Sequence, residues 1–84
     1  MNEPEEERTL VLKLRGETWV HRTRFGRDPE ATKASMRTVM DWMQSVVVNF
    51  SAEDRSAMCL AYLRACLAIV SAGTDPNELV VEVP

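Results

Sequence analysis

The chain has 84 residues and a mass of 9.5 kDa, 45% of its residues are hydrophobic, and its formal net charge is −3. A chain this short forms one small domain that buries only roughly 60–65% of the surface its unfolded form exposes. Its aliphatic content excludes a disordered tail, and its acidic balance disfavours a dedicated nucleic-acid binder.

Charge is nonetheless unevenly spread. Between residues 8 and 27, Arg8, Lys13, Arg15, Arg22, Arg24 and Arg27 stand against the single acid Glu17, so one region of the fold is expected to be basic. Residues 1–8 read as a solvated, flexible acidic leader, and 9–84 as a single α+β domain. MNEPEEE lacks the positive and then apolar character of a secretory signal, and no run approaches the ~20 apolar residues of a membrane span. The expected setting is cytoplasmic, with no membrane contact.

From Thr9, TLVLKL alternates with Leu10, Leu12 and Leu14 on one face; Arg15-Gly16 interrupts, and ETWVHRTRF resumes a β-branched, aromatic pattern. This predicts a β-hairpin. A two-residue turn sets Leu14 opposite Glu17, Leu12 opposite Trp19 and Leu10 opposite His21; a four-residue loop would shift the pairs and preserve the facing. Lys13, Val20, Arg22 and Arg24 then share the outer face with Val11.

Asp28-Pro29-Glu30 is a helix start, with an N-cap, a proline suited to the first position and an acid at the positive dipole end. The helix is expected to run to about Phe50, with Met36, Val39, Met40, Met43, Val46, Val47 and Phe50 in one apolar stripe and Trp42 on its shoulder. Ser51-Ala52-Glu53-Asp54 has the form of a capping box opening a second helix, which Gly73 ends near Ala72. In its stretch MCLAYLRACLAIV, Met58, Ala61, Tyr62, Ala65 and Ile69 share one face, Cys59, Leu63, Cys66 and Val70 a second, and Leu60 and Leu67 a third. A turn at Thr74-Asp75-Pro76-Asn77 and a last strand, ELVVEVP, complete a β-β-α-α-β order: a small antiparallel sheet with two long antiparallel helices on one face.

The sheet and the first helix can each cover one face of the second helix, which leaves the third without a partner. An exposed apolar strip of that kind marks an interface, so a homo-oligomer, by default a dimer, is expected through Leu60, Leu63, Leu67 and Val70.

Chemistry is sparse. His21 has no second histidine or nearby cysteine for a metal site. Cys59 and Cys66 are seven apart, about 10 Å at helical rise, too far for a mutual disulfide, and read as reduced packing residues. No Gly-rich phosphate loop and no paired carboxylates occur, so neither enzyme activity nor a cofactor is expected. The basic hairpin (Lys13, Arg15, Arg22, Arg24, Arg27) and Trp42 are the candidate partner-binding residues. A protein target is favoured, and nucleic acid is the alternative, because a strand followed by two helices also resembles ribbon-helix-helix repressors.

Leu14-Arg15-Gly16-Glu17-Thr18-Trp19 resembles the hairpin of the ZapA family of bacterial cell-division proteins, with an aliphatic residue two before the glycine and an aromatic three after it. The likeness extends loosely over residues 9–72, and differs in His21, where that family favours an aliphatic residue, and in Gly73 and Pro76, which stop the second helix. It implies a head domain that assembles an oligomer and contacts division filaments through charged residues, here Arg22 and Arg24.

Overall fold

The computed structural model describes residues 6–26, 28–73 and 76–84. In chain order they form β1 (Glu6–Leu14), β2 (Glu17–Phe25), α1 (Pro29–Val47), α2 (Ala52–Ala72) and β3 (Glu78–Val83). The order is the expected β-β-α-α-β, an α+β fold with a three-stranded sheet in the order β2-β1-β3.

β1 and β2 pair antiparallel through a two-residue turn, with Leu14 opposite Glu17, Leu12 opposite Trp19 and Leu10 opposite His21. Arg15 (φ 44°) and Gly16 (φ 93°) both lie in the left-handed region, as a type I′ turn requires to match the twist of its strands. Glycine meets that demand without strain, whereas Arg15 meets it against its own preference.

β1 begins three residues earlier than the alternation in TLVLKL indicates. Glu6, Glu7 and Arg8 pair with Phe25, Arg24 and Thr23, so those three residues of the acidic leader are strand; the rest of the leader lies outside the described residues. β2 is long enough to hold them in register, which a pattern of apolar residues in β1 alone does not reveal.

The sheet is mixed rather than wholly antiparallel, because β3 pairs parallel with β1, Thr9 with Glu78 through Leu14 with Val83. Direction explains this. β2 returns the chain to the end where β1 started, α1 runs back and α2 returns again, so β3 starts at the same end as β1 and must run alongside it. β1 takes the centre because Leu10, Val11 and Leu12 are its buried run, and a strand flanked on both sides suits a continuous apolar segment. The expected turn at residues 74–77 falls partly outside the described residues.

α1 is capped by the Asp28 carboxylate, which accepts from the Ala31 N–H at 2.9 Å. It closes at Val47, short of Phe50, where the Phe50 N–H bonds the Val47 carbonyl at 3.0 Å and the Phe50 ring leaves the helix to meet Trp19 at 5.3 Å. Ser51 caps α2 by accepting from the Asp54 N–H at 3.1 Å. Gly73 (φ 68°) ends it with its N–H shared between the Ile69 and Val70 carbonyls, the left-handed stop that glycine favours.

Both helices lie on one face of the sheet, α1 chiefly over β2 and α2 over β3. Leu10, Leu12, Val46, Met58 and Val81 form the core, flanked by Trp19, Val39, Trp42, Met43, Phe50, Tyr62 and Leu79. β1 lies beneath the gap between the helices.

Candidate functional site

Helix α2 presents its sheet-facing side through Met58, Ala61, Tyr62 and Ala65. The opposite side is open: Leu60 is 49% exposed, Leu63 54%, Leu67 65% and Val70 76%. These four positions follow a 3-4-3 spacing, the a/d pattern that places one row of knobs along a helix. The strip includes the side carrying Leu63 and Val70, which α1 would cover if it lay against α2. It does not, since α1 follows β2 and α2 follows β3, one strand apart on either side of β1.

That separation leaves a groove of about 260 Å³, with Leu12 at its floor, Met40, Met43, Gln44 and Val47 on the α1 wall, and Arg55, Met58, Cys59 and Tyr62 on the α2 wall. Met40 is itself 54% exposed. The Tyr62 hydroxyl is held above its usual ionisation range, first by burial and then by its electrostatic and hydrogen-bond interaction with Cys66. Both cysteines are free thiols, Cys59 exposed and Cys66 partly buried.

The outer face of the sheet carries Lys13, Arg22 and Arg24 as expected, and β3 adds acids to it. Arg22 and Arg24 line β2, and both are exposed. Lys13 lies on the central strand between Thr18 and Glu82, and Thr9 lies between Arg22 and Glu78. Arg24 approaches Glu7 at 3.9 Å, a long and solvated pair that holds neither side chain firmly. The face therefore grades from basic along β2 to acidic along β3, across an apolar row formed by Val20, Val11 and Val80. Sequence reading missed this balance because Glu78 and Glu82 are more than fifty residues from the hairpin.

Arg15 has work inside the chain. Its guanidinium donates to the Asp54 carboxylate at 2.5 Å and its backbone N–H to the Val83 carbonyl at 3.0 Å, which ties the hairpin turn to the start of α2 and the end of β3. Trp42 likewise faces inward, its ring stacked on His21 at 5.0 Å and 23°. His21 Nε2 and Thr23 Oγ1, neighbours on that same inner row, are buried without a hydrogen-bond partner. Arg27 lies outside the described residues.

Among the described residues, no group of three or more His, Cys, Asp or Glu side chains is placed to hold a metal ion. One sequence expectation needs correction: by length and composition alone, α2, with 21 residues and a mean hydropathy of 1.3 over an 18-residue window, meets the measure of a membrane span. Arg64 interrupts its apolar run and Glu53, Asp54 and Arg55 occupy its first turn, so a count of consecutive apolar residues falls short of a span although the average over the helix does not.

No protein-family model matches the chain, and neither a curated protein nor a solved structure shows significant similarity to it.

Proposed function

We propose that this protein is a non-enzymatic protein-protein interaction module, a small oligomeric accessory or inhibitory factor that acts by occupying a partner's surface in the cytoplasm. The observation that carries the reading is the open strip of Leu60, Leu63, Leu67 and Val70 on α2. Four adjacent aliphatic side chains, each 49% exposed or more, exceed what a small monomer leaves in water without use. Self-association through α2 covers them, and the outer face of the sheet stays free for a target.

The graded charge of that face favours a protein target with both signs of charge over a polyanion, since a duplex meeting Arg22 and Arg24 also meets Glu78 and Glu82 on the far strand. Nucleic-acid binding through the hairpin is the second reading, and the resemblance to ZapA heads is a special case of the first, with Arg22 and Arg24 as the filament contacts. Small phage-encoded inhibitors and accessory factors need no chemistry beyond such surfaces.

Absolute mass by light scattering on a sizing column tests the reading. The native chain is expected at twice 9.5 kDa or more, and Leu60→Glu/Leu67→Glu as a folded monomer by circular dichroism. A native monomer at hundreds of micromolar refutes self-association. Titration against duplex DNA at two salt concentrations decides the second reading, since phosphate contacts must weaken steeply with salt.

A further inference from the structure

β3 is paired on one side only. Its odd positions give their main-chain groups to β1, as the Thr9 N–H on the Asn77 carbonyl at 2.8 Å and the Arg15 N–H on the Val83 carbonyl at 3.0 Å mark at the two ends of the ladder. Successive residues of a strand turn their N–H and C=O to opposite sides, so those of Glu78, Val80 and Glu82 point away from the sheet. No other element among the described residues pairs with them. The same three side chains lie on the outer face and are exposed, Val80 at 41%. We infer that the free edge of β3 takes an extended peptide as a fourth, antiparallel strand, one that presents a basic, an aliphatic and a second basic residue at alternate positions. This rests on the protein-target reading above and adds where the target attaches and what chemistry it presents.

Charge and clearance both select that occupant. Edge strands that refuse every partner use proline or a bulge; Glu78–Val83 has neither. Its two carboxylates discriminate instead. Glu78 and Glu82 flank Val80 on the row a fourth strand would continue, so cations opposite them are favoured and anions are repelled. Lys13 neighbours Glu82 from β1, whereas Glu78 neighbours Thr9, and the edge keeps a net negative charge. Above it, α2 lies over β3. At about 100° per residue, Ala57, Ala61 and Ala68 fall on the side of α2 away from Cys59 and Tyr62, which wall the groove. Short side chains over this edge leave room for the inner-face residues of an added strand.

Neither the opposite edge nor a second copy offers the same fit. On β2 the Arg24 carbonyl already accepts from the Ser35 hydroxyl at 3.0 Å, so α1 closes one end of that edge. Two copies joined through β3 with Val80 opposite itself would set Glu78 opposite Glu82 twice, a like-charge pairing. Each edge strand also carries a helix, so any copy joined edge to edge with its helices on the same face would bring a helix about 4.8 Å from α2, where packed helices need about 8–10 Å. Turning the copy over relieves that overlap but sets its carboxylates in line with Leu79 and Val81 on the apolar inner face. An extended peptide brings no helix of its own.

The test titrates the capped peptide acetyl-TKTVTKT-amide into the isotope-labelled full chain, followed by amide NMR. The N–H signals of Glu78, Val80 and Glu82 are expected to shift along one saturation curve and to exchange with deuterium more slowly when saturated. Glu78→Lys/Glu82→Lys should weaken this peptide roughly tenfold or more and favour acetyl-TETVTET-amide. Val80→Pro removes one outward N–H, leaves the bonds to β1 alone and keeps both carboxylates; it should weaken the peptide as much while retaining native circular dichroism. The peptide N-methylated at its valine, which needs no change in the protein, should lose binding likewise. Binding that survives Val80→Pro and the N-methyl group is attraction between charges alone; it overturns the fourth strand and leaves the protein-target reading in place. Shifts confined to Thr18, Val20 and Arg22 overturn the choice of edge, and β3 shifts that follow protein concentration without peptide give the edge to a second copy. No shift at millimolar peptide overturns the inference. Duplex DNA that moves Arg22 and Arg24 while the peptide moves nothing overturns the protein-target reading as well.

Discussion

Two side chains show how single residues serve the fold before any partner. Arg15 holds a left-handed backbone at φ 44°, which costs an L-residue with a Cβ about 1 kcal/mol, and recovers part of that through Asp54. Replacing it separates the two effects: Arg15→Ala loses the ion pair and keeps the strain, with an expected loss of about 1 kcal/mol in urea unfolding. Arg15→Asn exchanges the pair for a residue that favours this turn, and its midpoint should stay close to that of the native chain. Tyr62 gives a pH signature. Its ionisation is raised by burial and Cys66, so the stability it contributes is complete below the unfolded value near 10 and is lost as pH rises through the folded one. It is the chain's single tyrosine, so tyrosinate absorbance reports it alone; native protein should titrate at higher pH than protein in urea. Equal midpoints would show that the hydroxyl is not shielded.

At the level of elements, the close approach of β2 to α1 is the sensitive joint. A Cβ added at Gly26 would lie 2.6 Å from the Ala31 Cβ, and the same joint carries the Thr32 hydroxyl on the Gly26 carbonyl at 3.0 Å and the Ser35 hydroxyl on the Arg24 carbonyl at 3.0 Å. These bonds draw the first turns of α1 onto the end of β2. Gly26→Ala should destabilise by about 1–3 kcal/mol through overpacking, and Ala31→Gly in the same chain should restore part of the loss despite its helix cost. No rescue would place the damage in the backbone instead. The α2 cap gives a simpler expectation: Ser51→Ala removes an acceptor for the Asp54 N–H and should cost about 1 kcal/mol.

For the whole molecule, the buried set among the described residues is only Leu10, Val11, Leu12, Val46, Met58 and Val81. A core that small leaves a domain of this length marginal by itself. Under the proposed self-association, folding is coupled to assembly, and the thermal midpoint should rise with protein concentration, several degrees over a hundredfold range. A midpoint independent of concentration would mean that these buried residues suffice.

Much of this fold is legible in local pattern. Alternation about Leu10, Leu12 and Leu14, the Arg15-Gly16 turn, the Asp28 and Ser51 caps and the Gly73 stop each depend on neighbours within a few residues, where backbone preference and side-chain capping act. The open row on α2 is also legible, since a helix apolar on every side outnumbers the surfaces one short chain can set against it. Other features depend on contacts between distant segments. The place of β3 beside β1, the acids at 78 and 82 sharing a face with the basic hairpin, the task of Arg15 at Asp54, the inward ring of Trp42 and the gap between the helices all follow from which strand each helix lies over. That choice is made by packing across the sheet, through β1 at its centre, and periodicity along the chain carries no record of it.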